Sequence, residues 1–276
     1  MTKNLHYYVP VEKQENPETI IKDLIVYCAT PAGITAAIQA KRMGLTVVIA
    51  EFGREIGGIT ASGLGATDVG AKEAIGGLSH EFYRDIGKYY GKNEQWKFEP
   101  KAATYVFQTW IKENQIPVFF EQHLEQVLTE DGAISSVVME DGTVYQGKYF
   151  IDASYEGDLL AKAGISYQVG RESNATYHET YNGVQFGHPH HQFNKWIDPY
   201  VVEGKPESGL LPGITETDHN MLGYQGQGDD IIQAYNFRVC LTKEPSNRVA
   251  FPKPNNYDPN RYLLLLRYIN EGFWDA

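Results

Sequence analysis

The chain has 276 residues, of which 42% are hydrophobic and 21% are charged. This is the composition of an ordinary globular protein, long enough for one large or two modest domains. The formal net charge of -11 argues against nucleic acids and anionic membranes as partners, because binding to either needs clustered Lys and Arg. No run of 18 or more apolar residues occurs, so the sequence predicts no membrane span. A small molecule is the expected partner.

The N-terminus and the cysteines bear on location in the cell. Residues 1–20 are polar and lack the apolar stretch of a signal peptide, so they predict a mobile arm. Cys28 and Cys240 lie in apolar runs and are predicted to be buried free thiols, which suit a reducing compartment. The prediction is therefore a cytoplasmic protein, with a signal peptide removed before residue 1 as the alternative.

A strand, a turn, a helix and a second strand follow one another within about 30 residues, which is the length of a parallel βαβ unit. The strands are predicted at 24–28 and 46–50, with a helix from 31 to 43 between them. Pro31 suits the first helical turn, where its missing N–H would lack a partner, and Gly44 suits the position after the helix end. The two strands are therefore expected to be adjacent and parallel.

Further along the chain, a Gly-rich stretch at 53–77 precedes two helical patterns and then a run of strands. The helices carry apolar faces formed by Leu78, Phe82, Ile86 and Tyr89, and by Ala103, Val106, Phe107, Trp110 and Ile111. An antiparallel meander is predicted from strands at 118–120, 125–128, 133–139 and 144–151, with Asp131-Gly132 and Asp141-Gly142 as hairpin turns. The predicted organisation is a polar arm (1–20), a first domain (21–170), and an incomplete, loop-rich domain (171–276) that ends in a helix.

The turn between the first strand and its helix is the first segment with a chemical meaning. It consists of Cys28, Ala29, Thr30, Pro31, Ala32 and Gly33. In a dinucleotide-binding fold the N–H groups of this turn and of the helix N-terminus face a pyrophosphate, and the usual pattern is G-x-G-x-x-G. Only the last glycine of that pattern is present here. Taken alone the match is weak, and the turn of any α/β protein explains it equally well.

Two further features favour a dinucleotide. Glu51 ends the second strand, 18 residues after Gly33, where a carboxylate can accept hydrogen bonds from both hydroxyls of an adenosine ribose. The alternative is a solvated Glu at a strand end. The pair Gly57-Gly58 then lets the backbone lie against a pyrophosphate. Nicotinamide dehydrogenases lack this pair, so it favours FAD over NAD.

A resemblance to a known family rests on four segments: VYCATPAGITAAIQAKRMGLTVVIAEF, IGGITASGLGATD, YFIDASYEGDLLAKAGI and VGRESNATYHETYNGV. Together they resemble the FAD-dependent oxidoreductase family of the glutathione-reductase-like superfamily, over about residues 22–276. The resemblance implies a Rossmann-like FAD/NAD(P)-binding α/β fold with three layers: a parallel sheet, helices and an antiparallel β-meander. It also implies an oxidoreductase of unknown substrate, for which a carbohydrate-related compound is one candidate. Some members carry the label "putative xanthan lyase", although the sequence shows no lyase chemistry.

The resemblance also implies which residues hold FAD. The segment Asp152-Ala153-Ser154 would close over the dinucleotide portion, Leu124 would place backbone against the adenine, and Thr60 would lie near the isoalloxazine. The complete set of expected cofactor-binding residues is Cys28, Ala29, Thr30, Pro31, Ala32, Gly33, Glu51, Phe52, Gly57, Gly58, Ile59, Thr60, Leu124, Ala153, Ser154 and Asp158.

Three histidines within four residues, at 188, 190 and 191, are consistent with a metal-binding site. No carboxylate or Cys stands at ligand spacing from them, so no metal site is predicted, and a polar loop facing the substrate is favoured. His191 resembles a recurring family segment and is the candidate proton donor to the substrate. Arg171 and Glu172 are interpreted as an inter-domain ion pair rather than as catalytic groups.

Two departures from the family pattern leave alternatives open. Cys28 stands where most relatives have Gly, and its side chain could crowd the pyrophosphate. The superfamily also takes the last part of its FAD domain from the C-terminus of a much longer chain. The expectation is a truncated N-terminal half that binds FAD weakly or not at all, with exposed apolar surface that favours homo-oligomers. The competing hypotheses are a non-catalytic remnant without flavin and a lyase-like carbohydrate-active protein.

Overall fold

The computed structural model describes residues 11–187, 193, 195–214, 221–232 and 238–272. The chain divides into two compact units, the first formed by Met1–Tyr167 with Phe237–Cys240, the second by Gln168–Asn236 with Leu241–Ala276. The assignment of cofactor and substrate roles to two domains that meet near residue 170 stays a prediction. Within the described residues, no helix is both long and apolar enough to cross a bilayer.

A six-stranded sheet with the order β3-β2-β1-β6-β5-β4 lies at the centre of the first unit. The strand β1 pairs in parallel with β2 and with β6, and β2 pairs in parallel with β3. The strand β5 pairs antiparallel with β4 and with β6. The bounds are β1 (Thr19–Tyr27), β2 (Val47–Ala50), β3 (Val118–Phe119), β4 (Leu124–Glu130), β5 (Ala133–Met139) and β6 (Val144–Asp152).

The predicted parallel pair is confirmed, since Leu24 lies opposite Val47 and Tyr27 opposite Ala50. The meander is confirmed for β4, β5 and β6, but the prediction was wrong for 118–120. That segment is an edge strand parallel to β2, bound through the N–H of Glu51, which donates to the carbonyl of Phe119 at 2.8 Å. The intervening helices supply the long crossover that parallel pairing needs, and an apolar run alone does not reveal which strand it will pair with.

The helices are α1 (Pro31–Arg42), α2 (Gly58–Ser62), α3 (Gly77–Tyr89), α4 (Pro100–Glu113), α5 (Asp158–Lys162), α6 (Asn174–Tyr177) and α7 (Leu263–Asn270). One hydrophobic cluster joins α1, α3 and α4 to the strands β1 and β2. In it Phe82 of α3 stacks on Phe107 of α4 with ring centroids 4.7 Å apart. The predicted apolar faces are confirmed, except that Tyr89 at the end of α3 is 40% exposed.

A second hydrophobic cluster involves the alternate residues of β1 and β2. Ile25 and Tyr27 pack there with Val48, Tyr145 and Leu159, whereas Leu24 and Val26 belong to the helical cluster. Because successive side chains of a strand point to opposite faces, the all-apolar strands β1 and β2 contribute to both clusters. The helices α1, α3 and α4 therefore pack against one face of β1 and β2, and side chains of β4, β5, β6 and α5 pack against the other.

The N-terminal arm differs from its prediction. Gln14 donates its backbone N–H to the carbonyl of Asp141 at 2.8 Å, and the N–H of Val144 donates to the carbonyl of Glu18 at 2.9 Å. The β1 strand already begins at Thr19. Gln14 and Glu18 thus have backbone partners at and beside the β5–β6 turn, and β1 begins inside the predicted arm, whereas the mobility of residues 11–18 stays a prediction.

The second unit is organised largely by loops. The guanidinium of Arg267 on α7 donates to the carbonyls of Asp198 and Tyr200, each at 2.7 Å. Arg171 donates from Nε to Asp229 Oδ1 at 2.9 Å, inside the same unit. The predicted inter-domain role of Arg171 was therefore wrong: its carboxylate partner lies 58 residues away in sequence, beyond what a local motif can reveal. Residues 188–192, with His191, lie outside the described residues.

The two cysteines differ in exposure. Cys28 is 1% exposed, which confirms its predicted burial, whereas Cys240 is exposed and both are free thiols. The burial prediction for Cys240 was wrong because its apolar neighbours Val239 and Leu241 are themselves 61% and 85% exposed. An apolar run outside a helix or strand has no periodic face to bury.

We expect a thiol-specific reagent to modify only Cys240 rapidly in the folded protein, since burial of Cys28 denies the reagent access and raises the pKa of its thiol. Unfolding in guanidinium chloride should make both thiols reactive. The measurement is the absorbance of the released thiolate over time. The matched variants Cys240→Ser and Cys28→Ser assign each phase, and two equally fast phases in the folded wild type would contradict the burial of Cys28.

Candidate nucleotide-binding site

The carboxyl ends of three neighbouring strands meet at one edge of the sheet. Tyr27 at the end of β1 lies opposite Ala50 of β2 and opposite Asp152 of β6. The chain leaves β1 towards β2 on one side and returns later to β6 on the other. In open α/β sheets such a reversal of strand order creates a crevice at the carboxyl ends, and ligands bind there.

Cys28 forms the first residue of the turn after β1. Its φ is 76°, in the left-handed region that costs a residue with a Cβ about 1–2 kcal/mol. Its N–H donates to the carbonyl of Ala50 at 2.8 Å, and its side chain belongs to the hydrophobic cluster with Leu124 and Leu159. The turn therefore adopts a conformation that favours glycine, with the thiol packed in the core.

Thr30 takes the second glycine position of the fingerprint and caps α1. Its Oγ1 accepts from the N–H of Gly33 at 3.2 Å and donates to the carbonyl of Ala153 at 2.8 Å. Pro31 is the first helical residue, as predicted, and its ring leaves no N–H without a partner. The threonine thus ties the N-terminus of α1 to the end of β6, and the helix dipole directs positive potential at this edge of the sheet.

Gly33 is required by close packing of α1 on the sheet. A Cβ placed there would lie 2.1 Å from the carbonyl oxygen of Cys28, 3.1 Å from the Cβ of Ala153 and 3.2 Å from Cγ1 of Val26. The carbonyl oxygen of Cys28 belongs to the backbone, so it cannot rotate out of the way as a side chain could. Gly33 therefore has the role of the third glycine of a dinucleotide fingerprint, which allows a helix to approach its strand closely.

Glu51 connects the end of β2 to the turn. It is 5% exposed, so the alternative of a solvated strand-end residue is wrong. Its Oε2 accepts from the N–H of Ala29 at 2.5 Å, and its Oε1 accepts from the N–H of Gly53 at 2.6 Å. Burial raises the pKa of Glu51, and the two N–H donors act in the opposite direction. Each carboxylate oxygen retains a lone pair for a further donor.

The pair Gly57-Gly58 brings a second glycine segment against the turn. The N–H of Gly57 donates to the carbonyl of Ala29 at 2.7 Å, and both glycines have positive φ, 91° and 48°. A Cβ on Gly58 would lie 2.1 Å from the hydroxyl oxygen of Tyr155. That hydroxyl accepts from the N–H of Ile59 at 2.8 Å, so the start of α2, which carries Thr60, is fixed beside the turn.

The segment after β6 is held by its own side chains. Ser154 Oγ donates to Asp152 Oδ1 at 2.6 Å and accepts from the N–H groups of Gly157 and Asp158 at 2.9 and 3.1 Å. Burial, with Asp152 and Glu156 nearby, raises the pKa of Asp158. Because these bonds are all local, the loop presents a fixed surface to the crevice.

A cleft of about 860 Å³ occupies this crevice. It is lined by the expected residues Phe52, Leu124, Ser154 and Asp158. The other expected residues form the turn, the start of α2 and the end of β6, which hydrogen bonds join to one another. Glu156, which the resemblance placed beside the segment Asp152-Ala153-Ser154, lines the cleft as well. The remaining lining residues were not expected from the sequence: Val11, Glu12, Tyr27, Gly53, Arg54, Glu121, His123, Tyr155 and Lys162.

Among the residues that were missed, Tyr155 had a detectable signal. It lies inside the segment YFIDASYEGDLLAKAGI that carries the family resemblance. Val11 and Glu12 had none, since a polar N-terminal stretch gives no periodic pattern. Arg54 and Glu121 form an ion pair with 2.6 Å between Nη2 and Oε1, across 67 residues of sequence, which no local pattern predicts.

The family model that describes FAD dependent oxidoreductases matches residues 23–274. The chain belongs to this family. The match spans both compact units, and the six-stranded α/β sheet is the Rossmann-like fold that the resemblance implied. No curated protein matches the chain.

The solved structures that are similar to the chain include a dehydrogenase, a deaminase and a disulfide reductase. L-proline dehydrogenase from P. horikoshii is 16% identical, with a TM-score of 0.43 over 57% of this chain and 59% of its own. L-amino acid deaminase from Proteus vulgaris is 20% identical, with a TM-score of 0.38 over 51% and 55%. Bacillithiol disulfide reductase from Staphylococcus aureus is 20% identical, with a TM-score of 0.37 over 49% and 38%. The chain thus covers less than two thirds of each of these structures. Neither they nor the family match support the xanthan lyase label or the expected truncation.

Proposed function

We propose that the chain binds FAD in the cleft at the carboxyl ends of β1, β2 and β6, and that it serves in an oxidoreductase acting on a small-molecule substrate. The observation that carries the proposal is the buried carboxylate of Glu51, bonded to the N–H of Ala29 in the turn. It sets an acceptor for ribose hydroxyls beside a helix N-terminus suited to a pyrophosphate.

The residues present fit a dinucleotide on two grounds. The first is close packing: a Cβ on Gly33 would lie 2.1 Å from the carbonyl oxygen of Cys28, so the N-terminus of α1 lies as close to its strand as in a dinucleotide fingerprint. The donor set is also suitable, since backbone N–H groups at the turn can bind an anion, and Glu51 can bind hydroxyls.

The proposal assigns a role to the residues that line the cleft and to those of the turn beside it. The residues Cys28 to Gly33 would bind the pyrophosphate, Glu51 the adenosine ribose, and Phe52 with Leu124 the adenine. Ala153, Ser154 and Asp158 would flank the dinucleotide, and the segment Gly57 to Thr60 would lead towards the flavin ring. FAD, when bound, supplies hydride chemistry, and the protein binds and orients it and excludes water.

The substrate side is a prediction from the sequence alone. The candidate proton donor is His191, and a carbohydrate-related substrate and a cytoplasmic location stay predictions. Homo-oligomer formation stays a prediction as well. A metal ion has no part in this proposal, because the chemistry that it assigns is that of the flavin.

The test is to incubate the purified protein with excess FAD, remove free ligand by gel filtration, and record the visible spectrum. We expect a flavin absorption band to elute with the protein, and incubation with riboflavin to leave a much weaker band, because riboflavin lacks the ADP half. A band that elutes with the protein would contradict the expectation, made from the sequence, of weak or no FAD binding, and a titration of the same protein gives the dissociation constant. Elution of all FAD separately from the protein, at concentrations that saturate related flavoproteins, would refute the proposal.

A further inference from the structure

The N-terminal strap, residues 11–14, is anchored to the turn between β5 and β6. The backbone N–H of Gln14 donates to the carbonyl of Asp141 at 2.8 Å. Its side-chain Nε2 donates to Asp141 Oδ2 at 2.8 Å and lies 3.3 Å from Oγ1 of Thr143. Three hydrogen bonds from one residue therefore fix the strap to the first unit.

The anchor point is a buried polar network. Asp141 is 5% exposed and accepts from the N–H of Thr143 at 2.8 Å, from its hydroxyl at 3.0 Å, and from Nε2 of Gln122 at 3.2 Å. Gln122 in turn accepts from the hydroxyl of Tyr145 at 2.9 Å. A buried carboxylate needs such donors to offset the loss of water, and Gln14 supplies one of them from outside the network.

The pKa of Asp141 reflects the balance between burial and the hydrogen bonds that its carboxylate accepts. Burial acts to raise it, but the donors from Thr143, Gln122 and Gln14 outweigh burial and hold the pKa of Asp141 below its ordinary value. The carboxylate is therefore ionised at neutral pH, and charge strengthens its bond from Gln14. The anchor is thus stronger than an ordinary hydrogen bond at the surface.

From this anchor the strap reaches the nucleotide cleft. Val11 and Glu12 line the same cleft as Tyr27, Phe52 and Leu124. The neighbouring ion pair between Lys13 Nζ and Glu125 Oε1, at 3.6 Å, is exposed on both sides and contributes little. Since only two residues separate Val11 from Gln14, the Gln14 anchor holds Val11 near the cleft.

We propose that the N-terminal strap is a wall of the nucleotide cleft, that Val11 and Glu12 contact the adenosine half of a bound adenine dinucleotide, and that Gln14 is the positioning residue. This inference rests on the proposed function. The adenosine half is indicated because Phe52 and Gly53, which follow the ribose-binding Glu51, line the same cleft. An apolar side chain at Val11 suits a purine face, and a carboxylate at Glu12 can accept from an exocyclic amine.

The experiment is a calorimetric titration of the full chain with ADP and with FAD. Gln14→Ala and Val11→Ala should each weaken the binding of ADP and of FAD. Within one variant the factor should be the same for both ligands, and for Gln14→Ala it should be about three- to tenfold. The matched control is Glu15→Ala, an exposed neighbour outside the cleft lining, which should leave both dissociation constants unchanged. Val11→Ala removes no hydrogen bond, so it tests the wall even if Gln14→Ala folds poorly.

A second readout separates contact with the ligand from a purely structural role. In wild type, saturating ADP should slow hydrogen exchange at the amide of Gln14, which a strap remote from the ligand would not show. Wild-type binding of ADP together with unchanged affinity in both strap variants would overturn the strap inference and leave the proposed function standing. Loss of affinity for FAD but not for ADP would overturn the assignment to the adenosine half. Failure of wild type to bind either ligand would refute the proposed function, and the inference with it.

Discussion

Replacement of Gly33 by Val is expected to lower the free energy of unfolding by about 3 kcal/mol or more. A Cβ at this position would lie 2.1 Å from the carbonyl oxygen of Cys28, and valine adds two methyl groups beyond it. Relief requires α1 to move away from β1, which would open the contacts of Val26 and Ala153 in the helical cluster. Urea-induced unfolding followed by circular dichroism measures the change.

The control for this substitution is Gly44→Ala. Gly44 has a φ of 89° but nothing within 4 Å of a Cβ, so alanine there adds backbone strain without overlap and should cost about 1 kcal/mol. The difference between the two variants isolates close packing from backbone conformation. If Gly33→Val destabilised the protein no more than Gly44→Ala, the close contact of α1 with the turn would be disproved.

Replacement of Glu51 by Gln is expected to weaken the binding of FAD or ADP-ribose by about 1–3 kcal/mol, the cost of losing charged hydrogen bonds. The amide has only one acceptor oxygen, and its NH₂ group would face one of the two N–H donors, from Ala29 or Gly53, that the carboxylate satisfies. Isothermal titration calorimetry measures the effect. The matched control is Glu55→Gln, an exposed neighbour that should leave the affinity unchanged.

The pH dependence of the wild type provides an independent check on Glu51. Its folded-state pKa is raised, so its contribution to stability is fully present below the unfolded-state pKa and is lost as the pH rises through the folded-state value. Nucleotide affinity should change in the opposite direction, because the ionised carboxylate is the better acceptor for ribose hydroxyls. Glu51→Gln should remove both dependences in this range, and affinity that stays equal in variant and wild type would exclude Glu51 from the site.

The sequence by itself determined the parts of the site that are local. The βαβ unit follows from two short apolar segments, from Pro31 at the first helical turn and from Gly44 past the helix end, each of which acts on its own few residues. The spacing from Gly33 to Glu51 could be interpreted because a helix and two short loops fix the distance between neighbouring strand ends. These features predicted a nucleotide-binding edge before any packing was known, and the family followed from the resemblance of four sequence segments.

Only the tertiary structure decided the features that join distant residues. The parallel pairing of β3 with β2, the ion pair of Arg171 with Asp229, and the docking of Gln14 on Asp141 each bring together segments far apart in the chain. Exposure of Cys240 belongs here too, since a local apolar run does not show whether the fold offers it a core. The physical reason is that hydrogen-bonding capacity and apolar surface are properties of a residue, whereas the partner that satisfies them depends on the whole packing.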